Sequence, residues 1–205
     1  MGSYVFYVGG SGSKMLEASL HAAAAGVLSH VGEPIHAVIV DLDQTGGNLK
    51  RAEALVSAYR DVRASINMTD AQTEEAAGIG FKTDFELYRL TAVEEQAMSG
   101  ILRSTGMGER REIARALYTD YELEMSYRRG FYGHPNVGAH FFASELPNLP
   151  MEHSFTQAID LIRQELAKGM RPRILLAGSI FGGTGASAMP SIAKYIRQLT
   201  DENPN

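Results

Sequence analysis

Twice in this chain a run of strand-forming residues breaks into clustered glycines and resumes as a helix, and that repeated device limits the fold more than any other feature. The first unit is Tyr4-Val5-Phe6-Tyr7-Val8, then Gly9-Gly10-Ser11-Gly12-Ser13-Lys14, then an Ala- and Leu-rich helix over 15–28 that Gly32 and Pro34 close off. The second is Arg173-Ile174-Leu175-Leu176-Ala177, then Gly178-Ser179-Ile180-Phe181-Gly182-Gly183-Thr184-Gly185, then a helix over 188–199. Between them Ala37-Val38-Ile39-Val40-Asp41-Leu42-Asp43 reads as a further strand, ending in acids before the breaker pair Gly46-Gly47. A β-loop-α-β opening is the start of a parallel sheet with right-handed crossovers. The expected class is therefore α/β, a three-layer Rossmann-like parallel sheet with helices on both faces, in one domain over 1–205.

The middle of the chain changes character. Residues 49–63 read as a helix, 67–80 as polar and irregular, and 92–103 as a helix again. Residues 109–128 read as a charged helix carrying Tyr118, Tyr121 and Tyr127 as packing residues. Together these make 50–128 a helical insertion. Residues 130–138 read as a loop, and Ser154 to Lys168 as an amphipathic helix with Phe155, Ile159, Ile162 and Leu166 at helical spacing. The tail over 200–205 reads as a frayed end.

Composition removes several alternatives. No cysteine is present, which excludes disulfides, thiolate metal sites and a Cys nucleophile, and fits a reducing cytoplasm. The net charge of −5 argues against nucleic-acid contact, which depends on phosphate neutralisation. Arg110, Arg111, Arg115, Arg128 and Arg129 do cluster, but Glu109, Glu112, Glu122 and Glu124 interleave with them, as on a solvated helix face. No apolar run approaches a membrane span, and no basic leader precedes the first strand. The six histidines lack metal-ligand spacing, and no serine sits in a G-x-S-x-G elbow, so neither a direct metal site nor a hydrolase triad is expected.

Strand-glycine-helix turns aim backbone N–H groups and the positive end of a helix dipole at one spot, which suits phosphate. Glycine serves because a Cβ would obstruct the anion's approach and because such turns use positive φ. Gly9 to Lys14 lacks the G-x-x-x-x-G-K-[ST] spacing of a Walker loop. A dinucleotide fold competes: Gly10 and Gly12 have G-x-G spacing, and Asp41 or Asp43 stands where a ribose acid would. The third glycine of that fingerprint would fall at Met15, too large for close helix–strand packing. Lys14 reads equally as a surface charge or a phosphate contact.

The segment Ala177 to Pro190 resembles the signature of the tubulin/FtsZ superfamily, whose core reads Gly-Gly-Gly-Thr-Gly-[Ser/Thr]-Gly after a strand. Here Phe181 and Ser187 replace the outer glycines, Ala186 replaces the family's hydroxyl, and one extra residue precedes the core. Three further segments follow the family's order. Gly9 to Lys14 resembles its first nucleotide loop. Asp41-Leu42-Asp43-Gln44 resembles the strand end Asn-Thr-Asp-Ala-Gln, and Gly133-His134-Pro135-Asn136-Val137-Gly138 resembles the loop Gly-Asn-Pro-Glu-Val-Gly.

That resemblance implies a tubulin/FtsZ-type GTPase domain binding GTP or GDP with Mg²⁺. Gly9, Gly10, Ser11 and Gly12, flanked by Ser13 and Lys14, would meet phosphate and ribose-side atoms. Gly182, Gly183, Thr184 and Gly185, with Ala186 beside them, would wrap the α- and β-phosphates. Gly133, His134 and Asn136 would lie at the terminal phosphate. Asp43 and Gln44 would lie near Mg²⁺, held through phosphate oxygens and water rather than directly by protein. The family's acid-bearing catalytic loop and second domain would follow beyond Asn205. The chain therefore reads as a fragment without catalytic residues of its own, hydrolysing only on assembly with a neighbouring subunit and self-associating in full-length form. Two other readings stay open: an NAD-type oxidoreductase domain using Gly9 to Gly12 with Asp41 or Asp43, and a non-catalytic interaction module with a degenerate nucleotide site.

Overall fold

The computed structural model describes residues 1–70, 80–90, 97–104 and 108–201. It is an α/β protein built on a four-stranded, wholly parallel sheet in the order β3-β2-β1-β4, comprising β1 (Ser3–Val8), β2 (Ile35–Val40), β3 (Phe85–Leu90) and β4 (Arg173–Gly178). Strand β1 pairs with β2 from Ser3–Ile35 to Val8–Val40, and with β4 from Ser3–Arg173 to Val8–Gly178. The chain thus builds outward from β1 through β2 to β3, then returns to the other side of β1. That reversal places a crevice at the carboxyl ends of β1 and β4, where ligands bind in open α/β sheets.

Alternation along the strands sorts two cores. Tyr7, Ala37 and Ile39 face one side, against Leu16, Leu20 and Ala23 of α1 (Gly9–Ala24) and Ala52, Val56 and Tyr59 of α2 (Gly47–Asp70). Tyr4, Phe6, Val8, Val38 and Val40 face the other. There they meet α6 (Pro135–Glu145), α7 (Ser154–Ala167) and α8 (Gly183–Asp201), together with α3 (Met98–Ser104), α4 (Gly108–Leu117) and α5 (Asp120–Leu123). Strand β2 is buried at all its positions because both faces are covered, which is why its sequence is continuously apolar apart from His36. His36 is sandwiched between Tyr4, with ring centroids 4.5 Å apart, and Tyr88 at 5.8 Å.

Several expected elements differ. Strand β3 lies within 50–128, so that span is not wholly helical: α2 and β3 complete a βαβ unit of the sheet itself. The charged helix expected over 109–128 is broken. It ends at Leu117, restarts after Thr119, and finishes in a 3₁₀ turn at Tyr127–Arg129. Thr119 makes a reciprocal capping box with Glu122, which stabilises the new start. Of the tyrosines, Tyr127 is fully buried as a packing residue, whereas Tyr121 is 63% exposed. The expected loop at 130–138 becomes α6 from Pro135, whose fixed φ suits the first helical turn. Both glycine segments are shorter as loops than expected, because α1 starts at Gly9 and α8 at Gly183. The irregular stretch at 71–79, the first part of the 92–103 helix, the tail at 202–205 and the side chains of Arg110 and Arg111 lie outside the described residues. No described helix is long and apolar enough to cross a membrane.

Candidate functional site

Segments far apart in sequence converge at the carboxyl ends of β1 and β4. Gly9 turns the chain from β1 into α1 with φ +69°, and a Cβ there would lie 3.5 Å from Thr184 Cβ and 3.7 Å from the Gly185 nitrogen. Gly183 opens α8 in contact with a third segment: its added Cβ would stand 2.8 Å from Phe131 Cβ and 3.1 Å from the Gly133 nitrogen. A fourth approaches at Gly10, where a Cβ would come within 2.9 Å of the Asn48 amide, and at Gly130, within 3.4 Å of Asp43 Cβ. Between them lies a cleft of about 210 Å³ lined by Gly10, Asp41, Asp43, Gly183 and Thr184, with Arg129 and Tyr132 at its wall.

The helix starts leave donors free for a ligand. Val8, at the N-cap of α1, supplies no capping side chain, so the N–H groups of Gly9, Gly10 and Ser11 have no partner within the helix. At α8 the Ala186 N–H already donates to the Gly182 carbonyl at 2.9 Å. That removes Ala186 from the expected phosphate contacts and leaves the amides of Gly183, Thr184 and Gly185. Gly182 is exposed, and a Cβ added there would meet nothing within 4 Å.

Other expected site residues have different work. Gly12 is a packing glycine: its added Cβ would collide with the Tyr7 backbone and stand 3.0 Å from the Ala177 carbonyl oxygen. It therefore provides the close helix–strand contact that the dinucleotide comparison sought at position 15, while Met15 itself is 44% exposed. Size at position 15 consequently gives no argument against that fold. Ser13 is fully buried with its hydroxyl unpartnered, and neither it nor the exposed Lys14 lines the cleft.

The two acids after β2 divide their roles in a way the sequence did not reveal. Asp43 Oδ1 accepts from the Thr45 N–H at 2.9 Å, the Thr45 hydroxyl at 2.6 Å and the Gly46 N–H at 2.9 Å, closing its own turn. Asp41 is the buried one, 5% exposed, and accepts the Asp43 N–H at 3.1 Å. Burial pushes its carboxyl up to about 6, opposed by the hydrogen bond from the Asp43 backbone and reinforced by the Asp43 charge. A desolvated carboxylate on a cleft wall is the kind of group that a cation or proton-sharing ligand relieves. Gln44 points elsewhere, accepting from Arg128 Nη2 at 3.0 Å.

Gly133, His134 and Asn136 follow Phe131 and Tyr132, and two of them are held from behind. Glu122 Oε1 accepts from Asn136 Nδ2 at 2.7 Å and meets His134 Nδ1 at 3.1 Å, while Oε2 accepts the Thr119 N–H at 2.9 Å. These donors, Asn136 foremost, hold the Glu122 carboxyl down at about 2. The side chains of His134 and Asn136 are thereby committed to Glu122, and the segment offers the cleft Phe131 and Tyr132 instead. Tyr132 has φ +43°, a left-handed conformation that costs a non-glycine residue energy and that concentrates at functional sites. Tyr132 was missed as a site residue, and Asp41 was singled out only for the dinucleotide reading, because their roles depend on backbone conformation and burial, which local composition does not display.

No group of three or more potential metal-ligating side chains occurs among the described residues. No protein-family model matches the chain, and comparison with curated proteins and with solved structures likewise finds no match.

Proposed function

We propose that the cleft between the α1 and α8 starts binds the phosphates of a nucleotide, GTP or GDP with Mg²⁺, in the manner of the nucleotide-binding domain of tubulin/FtsZ-like proteins. The observation that carries this reading is the meeting of Gly9 with Thr184 and Gly185, and of Gly183 with Gly133, at the sheet's reversal point. Two uncapped helix starts aimed at one cleft supply donors and favourable dipole ends without any cationic P-loop lysine. Asp41 and Asp43 suit the outer coordination of a phosphate-bound Mg²⁺, through water. Arg129 lines the same cleft and would offset phosphate charge.

Within this reading the chain positions and stabilises the phosphates, and hydrolysis awaits acids from a neighbouring subunit. Self-association fits the exposed apolar residues around β4 and its turn, with Leu175 at 58%, Ile180 at 66% and Phe181 at 94% exposure.

Calorimetric titration with GTP, GDP, ATP and NAD in the presence of Mg²⁺ tests the proposal. Selective guanine-nucleotide binding is expected, whereas selective NAD binding would transfer the site to the oxidoreductase reading. Gly182→Val is the clean companion variant. Because nothing lies near the added side chain, its melting temperature should match the parent's while nucleotide affinity drops by ~10-fold or more. Equal affinity in Gly182→Val would exclude Gly182 from the site.

A further inference from the structure

Beside the glycine cleft, over the carboxyl ends of β2 and β3, lies a second and larger cavity of about 610 Å³. Its walls carry Lys50, Arg89, Arg128 and Arg129 against a single carboxylate, Glu53, in a protein whose net charge is −5. We propose that this cavity is a separate binding site for a small phosphate-bearing polyanion. It stands whether or not the glycine cleft takes a nucleotide.

Three observations support the assignment. The first is the charge balance of the pairs. Glu53 accepts from Arg89 Nη1 at 2.7 Å, and Arg128 is oriented by a neutral acceptor, donating through Nε at 3.3 Å and Nη2 at 3.0 Å to Gln44 Oε1. Arg128 is therefore positioned with its charge intact.

The second is construction from three separate segments: the turn after β2 together with the start of α2, which supplies Lys50 and Glu53, the last residues of β3, and the 3₁₀ turn at Tyr127–Arg129. The turn after β2 and the 3₁₀ turn are tied by the Gln44 N–H donating to the Arg128 carbonyl at 3.0 Å. This differs from a run of like charges along one solvated helix, which is how the sequence alone presents Arg128 and Arg129. The third is size and chemistry. The volume falls in the range of small-molecule sites, and guanidinium forks match phosphate oxygens in pairs.

Arg129 also lines the glycine cleft, so the two sites adjoin. A ligand in either cavity would meet the same Arg129 charge, so the two ligands should affect each other's affinity reciprocally.

The test records amide and arginine side-chain resonances of the isotopically labelled protein as inorganic tripolyphosphate is added without magnesium. The double variant Lys50→Glu/Arg128→Glu, changed only at exposed positions, is titrated alongside, as is Gly182→Val. Saturable shifts at Thr45, Lys50 and Arg89 are expected. They should weaken by ~10-fold or more in the double variant, at unchanged melting temperature, and persist in Gly182→Val. Shifts confined to the glycine turns, or equal affinity in the double variant, would overturn the proposal. Should the double variant fail to fold, the map on the parent protein still decides.

Discussion

Replacing Asp41 with asparagine should make the protein more stable and its cleft less useful. Asp41 is buried on the cleft wall, and its carboxyl is raised to about 6 against an ordinary value near 4. Each unit of displacement corresponds to ~1.4 kcal/mol, so the ionised form costs the fold roughly 3 kcal/mol at neutral pH, an upper figure once relaxation and water entry are allowed for. The sign follows from proton uptake. Because the folded value is the higher one, the native state holds more protons than the unfolded chain between about pH 4 and 6, and stability falls as pH rises through that window. Asparagine keeps an oxygen to accept the Asp43 N–H and carries no charge. Urea unfolding should therefore find Asp41→Asn more stable by ~1–3 kcal/mol at pH ~7, with the difference closing below pH ~4. The same variant should bind Mg²⁺-nucleotide more weakly, since the lost charge is the one a cation would relieve. A variant less stable than the parent at neutral pH, or a gain independent of pH, would refute the reasoning.

Gly12→Ala should destabilise the fold by ~1–3 kcal/mol in urea unfolding, because the new methyl meets Tyr7 and Ala177 backbone that no rotamer change can clear. Glu122→Gln should flatten the acid limb of the melting curve. Its carboxyl is held at about 2 by Asn136, Thr119 and His134, so the wild-type contribution is complete above about pH 5 and is lost as pH falls towards 2. An unchanged acid limb in that variant would dissociate Glu122 from the stability of the segment.

The apolar runs were legible in the sequence: β1, β2 and β4 read as strands, although β4 has no fully buried position, and α7 reads from Phe155, Ile159, Ile162 and Leu166. Strand β3 escaped because Glu86 and Arg89 interrupt its apolar pattern, whereas β4, equally at a sheet edge, carries Ile174, Leu175 and Leu176 in an unbroken run. The start of α6 escaped for a related reason. Gly133 and Pro135 signal a turn, and the helix after them depends on Val137, Phe141 and Phe142 packing into a core assembled from distant segments. At the site, glycine spacing identified which segments carry the turns. It did not separate glycines that line the cleft from those that admit backbone: Gly12 and Gly185 are packing positions, where a Cβ would strike Tyr7 and Ser179 backbone respectively. Nor could it order the acids, since Asp41 and Asp43 differ only in what surrounds them.

The central claim is that three glycine-bearing segments serve one phosphate ligand, and amide resonances during titration with Mg²⁺–GTP test it most directly. Shifts at Gly9 to Ser11, at Gly183 to Gly185 and at Tyr132 to Gly133 should saturate together with one affinity, and that common affinity should weaken by ~10-fold or more in Gly182→Val. Segments that respond with different affinities, or a response at only one of them, would contradict a common phosphate site.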